Sequence, residues 1–271
     1  MMNGAHAATG LLTGTTVASF AQPTPPGVAL GALAGAGAAL LPDIDHDQST
    51  ITKSAGPVTR GTAELLQTLA RWAYRRTRLP HDPRASGKTG EHRGLIHTPV
   101  FALLVGTALA GATLASKWVG IVAVYVLTSA ALRSLRWSLP TRVRGTLQLQ
   151  RHAAPPLYAL LATGLLVYVH AVADAGVWLG AIVALGMIVH SVGDGATNSG
   201  IPFVWPFKRA CDRCRRGTGC PGARWDRQHV LPESLRFPAG AGIEKFVETG
   251  CLVVAAFVAW PTLTTLLTGP A

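Results

Sequence analysis

Three short runs of the sequence concentrate side chains able to hold a metal ion. The run 41–47, Leu-Pro-Asp-Ile-Asp-His-Asp, sets Asp43 and Asp45 two residues apart with His46 beside them. Two carboxylates and an imidazole offer hard oxygen ligands and one borderline nitrogen. The plainer alternative is a helix end with solvated acids, which is a poor place for them because a helix C-terminus already carries partial negative charge. The run 91–97, Glu-His-Arg-Gly-Leu-Ile-His, brings His92 and His97 to the mouth of an apolar segment, where Arg93 could grip an anionic oxygen with two N–H groups. Its plainer reading is a basic flank at a membrane surface. The third run is the sharpest. His190 and Asp194 stand four apart, so on a helix they share a face. A small polar loop, 195–200, follows them. His6 is a weaker candidate taken alone. Glu244 and Glu248 are again four apart, and one of them could supply a ligand or a general base. A mixed His/carboxylate set suits zinc or manganese, in a mononuclear or dinuclear centre that generates hydroxide and stabilises an in-line phosphoryl displacement.

These residues can act together only if the chain gathers them, and its apolar segments say how. Of 271 residues, 49% are hydrophobic and 14% charged, yet the net charge is +11. That composition excludes a disordered chain, and four cysteines are too few for a disulfide scaffold. Stretches 98–116, 118–132, 153–173, 177–192 and 251–268 are apolar and nearly free of charge. Stretches 5–20 and 28–41 are shorter or richer in Gly, Ala and Thr, a composition that favours close helix packing in lipid. The first lacks a basic leader and is broken by Gly10 and Gly14, so it reads as a retained helix rather than a cleaved signal. Of the 24 Lys and Arg, 23 fall in loops 43–97, 133–151 and 194–245. With the N-terminus inside, every one of those loops lies on the cytoplasmic side, as the positive-inside rule requires. His6 and all three ligand runs then meet at that face, whereas His170 and Asp174 fall on the other. The expected fold is a single all-α domain over 1–271, a polytopic membrane bundle of about five to seven spanning or half-spanning helices. It carries a basic cytoplasmic loop, 43–97, and a Cys-containing cytoplasmic loop, 194–245.

At these motifs the sequence resembles the LexA-regulated inner-membrane metal-dependent hydrolase family, also called YdjM-like. The matching pieces are His6 with Gly10, the Leu-Pro-Asp-Ile-Asp-His run at 41–46, His92-Arg93-Gly94 with His97, and His190 with Asp194, Thr197 and Gly200. Glu244, more than Glu248, also looks like a family position. The family is similar in turn to zinc-dependent phospholipases C and P1-type nucleases, and that likeness implies phosphoester hydrolysis.

The expected metal ligands are therefore His6, Asp43, His92, His97, His190 and Asp194. Asp45, His46 or Glu244 would complete the coordination or move a proton, and Arg93 would steady a phosphate. Zinc is the expected ion, with manganese or magnesium as alternatives, and the expected partners are membrane lipid and a phosphoester, lipid-linked in one version. The loop 194–245 adds Cys211, Cys214, Cys220 and His229, a spacing compatible with a structural zinc site or with a flexible basic loop. Nucleic acid is not an expected partner, because the aromatic residues are too scattered for a stacking platform. Two rival readings are a non-enzymatic membrane metal-binding protein or transporter, and a soluble phospholipase-like enzyme. A transporter should carry its ionisable groups near mid-membrane rather than at segment ends.

Overall fold

The computed structural model describes residues 2–45, 49, 51–52, 57–79, 82, 93–149, 151–207, 225 and 227–268. These residues form nine α-helices and no named strand: α1 Asn3–Ala21, α2 Pro25–Ala38, α3 Pro57–Thr77, α4 Pro99–Ala115, α5 Lys117–Leu135, α6 Thr141–Thr146, α7 Ala154–Tyr168, α8 Ala171–Gly195 and α9 Gly242–Thr268. Two 3-10 turns, Leu41–Asp45 and Leu95–His97, matter to the site. The helices α5, α8 and α9 (over Gly242–Thr265) are long and apolar enough to cross a membrane, while α4 and α7 are apolar but shorter. At 17 residues α4 is about 26 Å long, somewhat under the roughly 30 Å hydrocarbon core. Large apolar side chains point outward from these helices, among them Leu104, Leu161, Leu165, Phe257 and Trp260. Water penalises such a surface and lipid does not.

The interior is built from small residues. Gly10 and Gly14 on α1 face Gly31 and Gly35 on α2, two glycines four apart against two glycines four apart. A Cβ on Gly14 would sit 2.0 Å from the Gly31 carbonyl oxygen, and one on Gly10 would sit 2.4 Å from that of Gly35. Backbone touches backbone here, the close approach that stabilises helix pairs where lipid removes any hydrophobic driving force. The same device joins α4 to α8 at Gly106 and Gly180. α2 contacts α1, α5, α8 and α9, which makes it the axis of the bundle.

Three differences from the sequence expectation have clear causes. The stretch 153–173 is not one helix. α7 ends at Tyr168, and His170 takes a left-handed conformation, φ 62°, that reverses the chain into α8. The expected outer turn at 174–176 survives as a break inside α8 at Gly176, φ 41° and ψ −120°. The basic loop 43–97 contains a full helix, α3, whose buried residues Ala63, Ala70, Ala73 and Tyr74 are too small or too polar to register as an apolar segment. Finally, α9 starts nine residues before the apolar stretch at Cys251, so Glu244 and Glu248 belong to its first turns and are buried.

The glycine contacts predict unequal tolerance to one added methyl group. Gly14→Ala should destabilise the detergent-purified protein by roughly 1–3 kcal/mol through overpacking. Gly111→Ala, which faces open space on α4, should be neutral or slightly stabilising. Thermal unfolding followed by circular dichroism checks the pair, and equal midpoints for both variants would contradict the packing argument.

Candidate metal centre

Each ligand is placed by a local feature of its own segment. α2 ends at Ala38, and Pro42 follows within the turn Leu41–Asp45 that presents Asp43. His97 closes the turn Leu95–His97 and stands directly before Thr98, whose hydroxyl accepts from the Phe101 N–H at 3.2 Å and so caps α4, with Pro99 at its first position. On α8, His190 and Asp194 occupy consecutive turns of one face. Gly186, one turn earlier, lets α8 approach the end of α2, since a Cβ there would lie 2.7 Å from that of Ala38. On α1, Gly10 does the same for His6, four residues before it.

The result is a compact buried group. Asp43, His97, His190 and Asp194 each offer a ligand atom, and all four atoms lie within 4.8 Å of one another. His190 Nε2 is 3.6 Å from Asp43 Oδ1 and 3.5 Å from Asp194 Oδ2, and His97 Nε2 is 3.7 Å and 3.5 Å from the same two oxygens. Those distances are long for hydrogen bonds. They match the edge of a tetrahedron around an ion with bonds near 2.1 Å, about 3.4 Å. His6 stacks on His190 with ring centres 3.8 Å apart, and its Nε2 lies 3.3 Å from the other Asp194 oxygen, Oδ1. Arg93, in a left-handed conformation with φ 58°, turns its guanidinium into the site. Its Nε is 3.1 Å from Asp194 Oδ2, and it donates to the Thr197 hydroxyl at 3.2 Å.

The donor set fits a divalent ion. His190 Nδ1 is 2.7 Å from the Ala39 carbonyl, one of the acceptors that a helix end leaves without an intrahelical partner. Donation to that oxygen puts the ring proton on Nδ1 and leaves a lone pair at Nε2, which is buried and makes no hydrogen bond among the described residues. A metal-ligating imidazole oriented by a backbone carbonyl has this arrangement. Asp43 is electrostatically prepared as well. Burial alone would raise its pKa, but the neighbouring imidazoles, His190 first and then His97 and His6, outweigh it and hold the carboxyl well below the usual carboxylate range.

The structure thus brings together His6, Asp43, Arg93, His97, His190 and Asp194. His46 and His92 lie outside the described residues, as do Cys211, Cys214 and Cys220, and Asp45 is described only as part of its turn. His229 lies 3.2 Å from the Asn198 carbonyl. Glu244 stands apart from the four-ligand group. It accepts the Met2 N–H at 2.6 Å and the Gly240 N–H at 3.0 Å, tying the starts of α1 and α9 together. Glu248 accepts from Ser138 and from Lys245 Nζ, the latter at 2.7 Å. The Ala39 carbonyl had no signal in the sequence, because every residue carries one.

Ligating imidazoles must shed their protons, so metal binding competes with acid. Asp43 stays ionised down to strongly acid pH, which leaves the imidazoles as the competing bases. Apparent zinc affinity should therefore weaken as pH falls from about 8 to about 5, because protons compete with the ion for the ligating imidazoles. Isothermal titration across that range checks it, and a pH-independent affinity would exclude the imidazole set.

Comparison with known proteins identifies the family and agrees with a membrane bundle. No curated protein and no solved structure gives a significant match. A family model does match, over residues 1–266, nearly the whole chain and every residue of the site. The chain belongs to the YdjM inner membrane protein family.

Proposed function

We propose that this protein is an integral membrane metal-dependent hydrolase of phosphoesters, working at the cytoplasmic end of its helices. The observation that carries the reading is the four-ligand group with a guanidinium lying against one of its carboxylates. Two imidazoles and two carboxylates suit zinc, with manganese or magnesium as alternatives. Bound there, such an ion supplies activation of water at neutral pH and positive charge against phosphoryl oxygens.

The remaining work belongs to this chain's own residues. His190, held by Ala39, and His97, held at the mouth of α4, keep their Nε2 atoms aimed at Asp43 and Asp194. Arg93 has five N–H donors in a planar fork, and a phosphate oxygen is a better partner for them than a carboxylate already engaged elsewhere. Thr197 steadies that fork. Asp45 and His46 follow Asp43 within three residues and are the candidates for moving a proton. Glu244 is spoken for by two backbone N–H groups, which favours a positioning role over proton transfer. The basic loops sit at the ligand end of the bundle, so the positive-inside rule puts that end and the N-terminus in the cytoplasm. It also puts the site at a leaflet surface, where a lipid-linked phosphoester is in reach. Transport draws less support, since the ligands cluster at helix ends rather than mid-span.

Purified protein should retain about one or more divalent ions by elemental analysis and cleave a chromogenic phosphodiester. Asp194→Ala and His190→Ala should lose both properties, while Gly111→Ala keeps them. A folded wild-type protein that stays inert after zinc, manganese and magnesium are restored would reject the hydrolase reading.

Arg93→Lys separates binding of the ion from handling of the substrate. The variant should keep its metal yet lose roughly 10- to 100-fold in kcat/KM, the worth of a charge-assisted bidentate contact. Unchanged kinetics would remove Arg93 from the substrate site.

A further inference from the structure

α3 has three faces of similar width where an ordinary surface helix has two. At about 100° per residue, Ala63, Ala70, Ala73 and Tyr74 share one side, and all four are buried. This side packs on the turns Leu41–Asp45 and Leu95–His97, the carriers of Asp43 and His97. Arg60, Glu64, Arg71 and Arg75 form a second side, about 120° around the helix, with Arg60, Glu64 and Arg75 exposed. Leu65, Leu69 and Trp72 form the third at positions i, i+4 and i+7, and they are 68%, 39% and 58% exposed. Arg76 ends that stripe.

A helix between core and water buries one side and wets the other. A third side, apolar and uncovered, calls for a third medium. The bundle supplies one. The two turns under α3 are the exit of α2 and the entry of α4, so α3 lies at the depth where helices leave the bilayer. Trp favours that depth, and Arg can bury its methylene stem while its head reaches phosphate oxygens. Arg60, Arg71, Arg75 and Arg76 against the single acid Glu64 give the helix a charge complementary to anionic lipid.

We propose that the Leu65–Leu69–Trp72 face of α3 is inserted in the anionic leaflet beside the bundle, as an interfacial helix that presses on the two ligand-bearing turns. The proposal rests on the membrane bundle and the shape of α3, and it holds whether or not the site hydrolyses anything.

Full-length protein in nanodiscs of phosphatidylcholine and phosphatidylglycerol, with acyl chains brominated, tests it. The emission lost on Trp72→Phe, read as a difference spectrum, isolates Trp72 from the other tryptophans. It should be blue-shifted, quenched several-fold by the brominated lipid and shielded from aqueous acrylamide. Quenching should weaken in discs of phosphatidylcholine alone, and Leu65→Asn with Leu69→Asn should open Trp72 to acrylamide while the protein keeps its helical circular dichroism. Trp72 emission that bromine does not quench in the anionic discs would overturn insertion, and equal quenching in both lipids would overturn the preference for anionic lipid.

Discussion

The close approach of α2 to its neighbours is the constraint on which everything else depends. The helix is Pro25–Ala38, and its buried side chains past Leu30 are no larger than alanine. Gly35 lies against Gly10 and Gly14 of α1 and close to Gly186 of α8, and a Cβ on Gly37 would lie 2.1 Å from the Leu127 carbonyl oxygen of α5. Larger residues would hold the surrounding helices a side chain apart. The ligand atoms of Asp43, His97, His190 and Asp194 lie within 4.8 Å of one another. Widening the α2–α8 contact at Gly186 by a side chain would therefore draw Asp43 away from His190 and Asp194. His6 follows the same logic: the α1–α2 glycine contacts at Gly10 and Gly14 begin one turn beyond it, so the separation of those backbones sets its distance from His190.

Electrostatics works against the arrangement that packing imposes. Asp194 is almost fully buried and sits in the last turn of α8, where the helix dipole disfavours an anion. A buried carboxylate persists only if positive or hydrogen-donating groups surround it. Arg93 supplies a full positive charge in contact, and it does so from a left-handed backbone conformation that a residue with a Cβ adopts at some cost. On the proposed reading, the strained arginine held against one oxygen of a carboxylate whose neighbours are imidazoles is poised to take a substrate oxygen instead.

Much of this was legible from residue types. The apolar stretches located the long helices, the distribution of Lys and Arg assigned one end of the bundle, and the His/Asp runs fell at that end together. What escaped had a physical reason in each case. The packing side of α3 is Ala63, Ala70, Ala73 and Tyr74, which adds little to any count of hydrophobic residues. The reversal at His170 uses a non-glycine residue in a conformation that favours glycine. Glu244 and Glu248 gave no sign of their burial, because nothing in their spacing shows that the N-terminus of α1 packs against them. The Ala39 carbonyl that orients His190 is backbone, and only tertiary structure reveals which backbone oxygen meets which ring.

The charge balance of the site argues for the class of molecule it receives. Among the described side chains of the site, two carboxylates and one guanidinium leave a single negative charge when the imidazoles are neutral. A divalent ion reverses that sign and leaves a single positive charge in a buried volume, where an uncompensated charge is costly. A phosphodiester carries one negative charge, so its arrival would restore neutrality and offer Arg93 a second anionic partner. A neutral ester or amide would leave the excess charge in place. Loops with 23 of the chain's 24 basic residues adjoin the ligand runs in sequence, and on the proposed topology they raise the local concentration of anions. On the proposed reading, the same charges that orient the protein in its membrane also select a monoanionic ester for the ion at its centre.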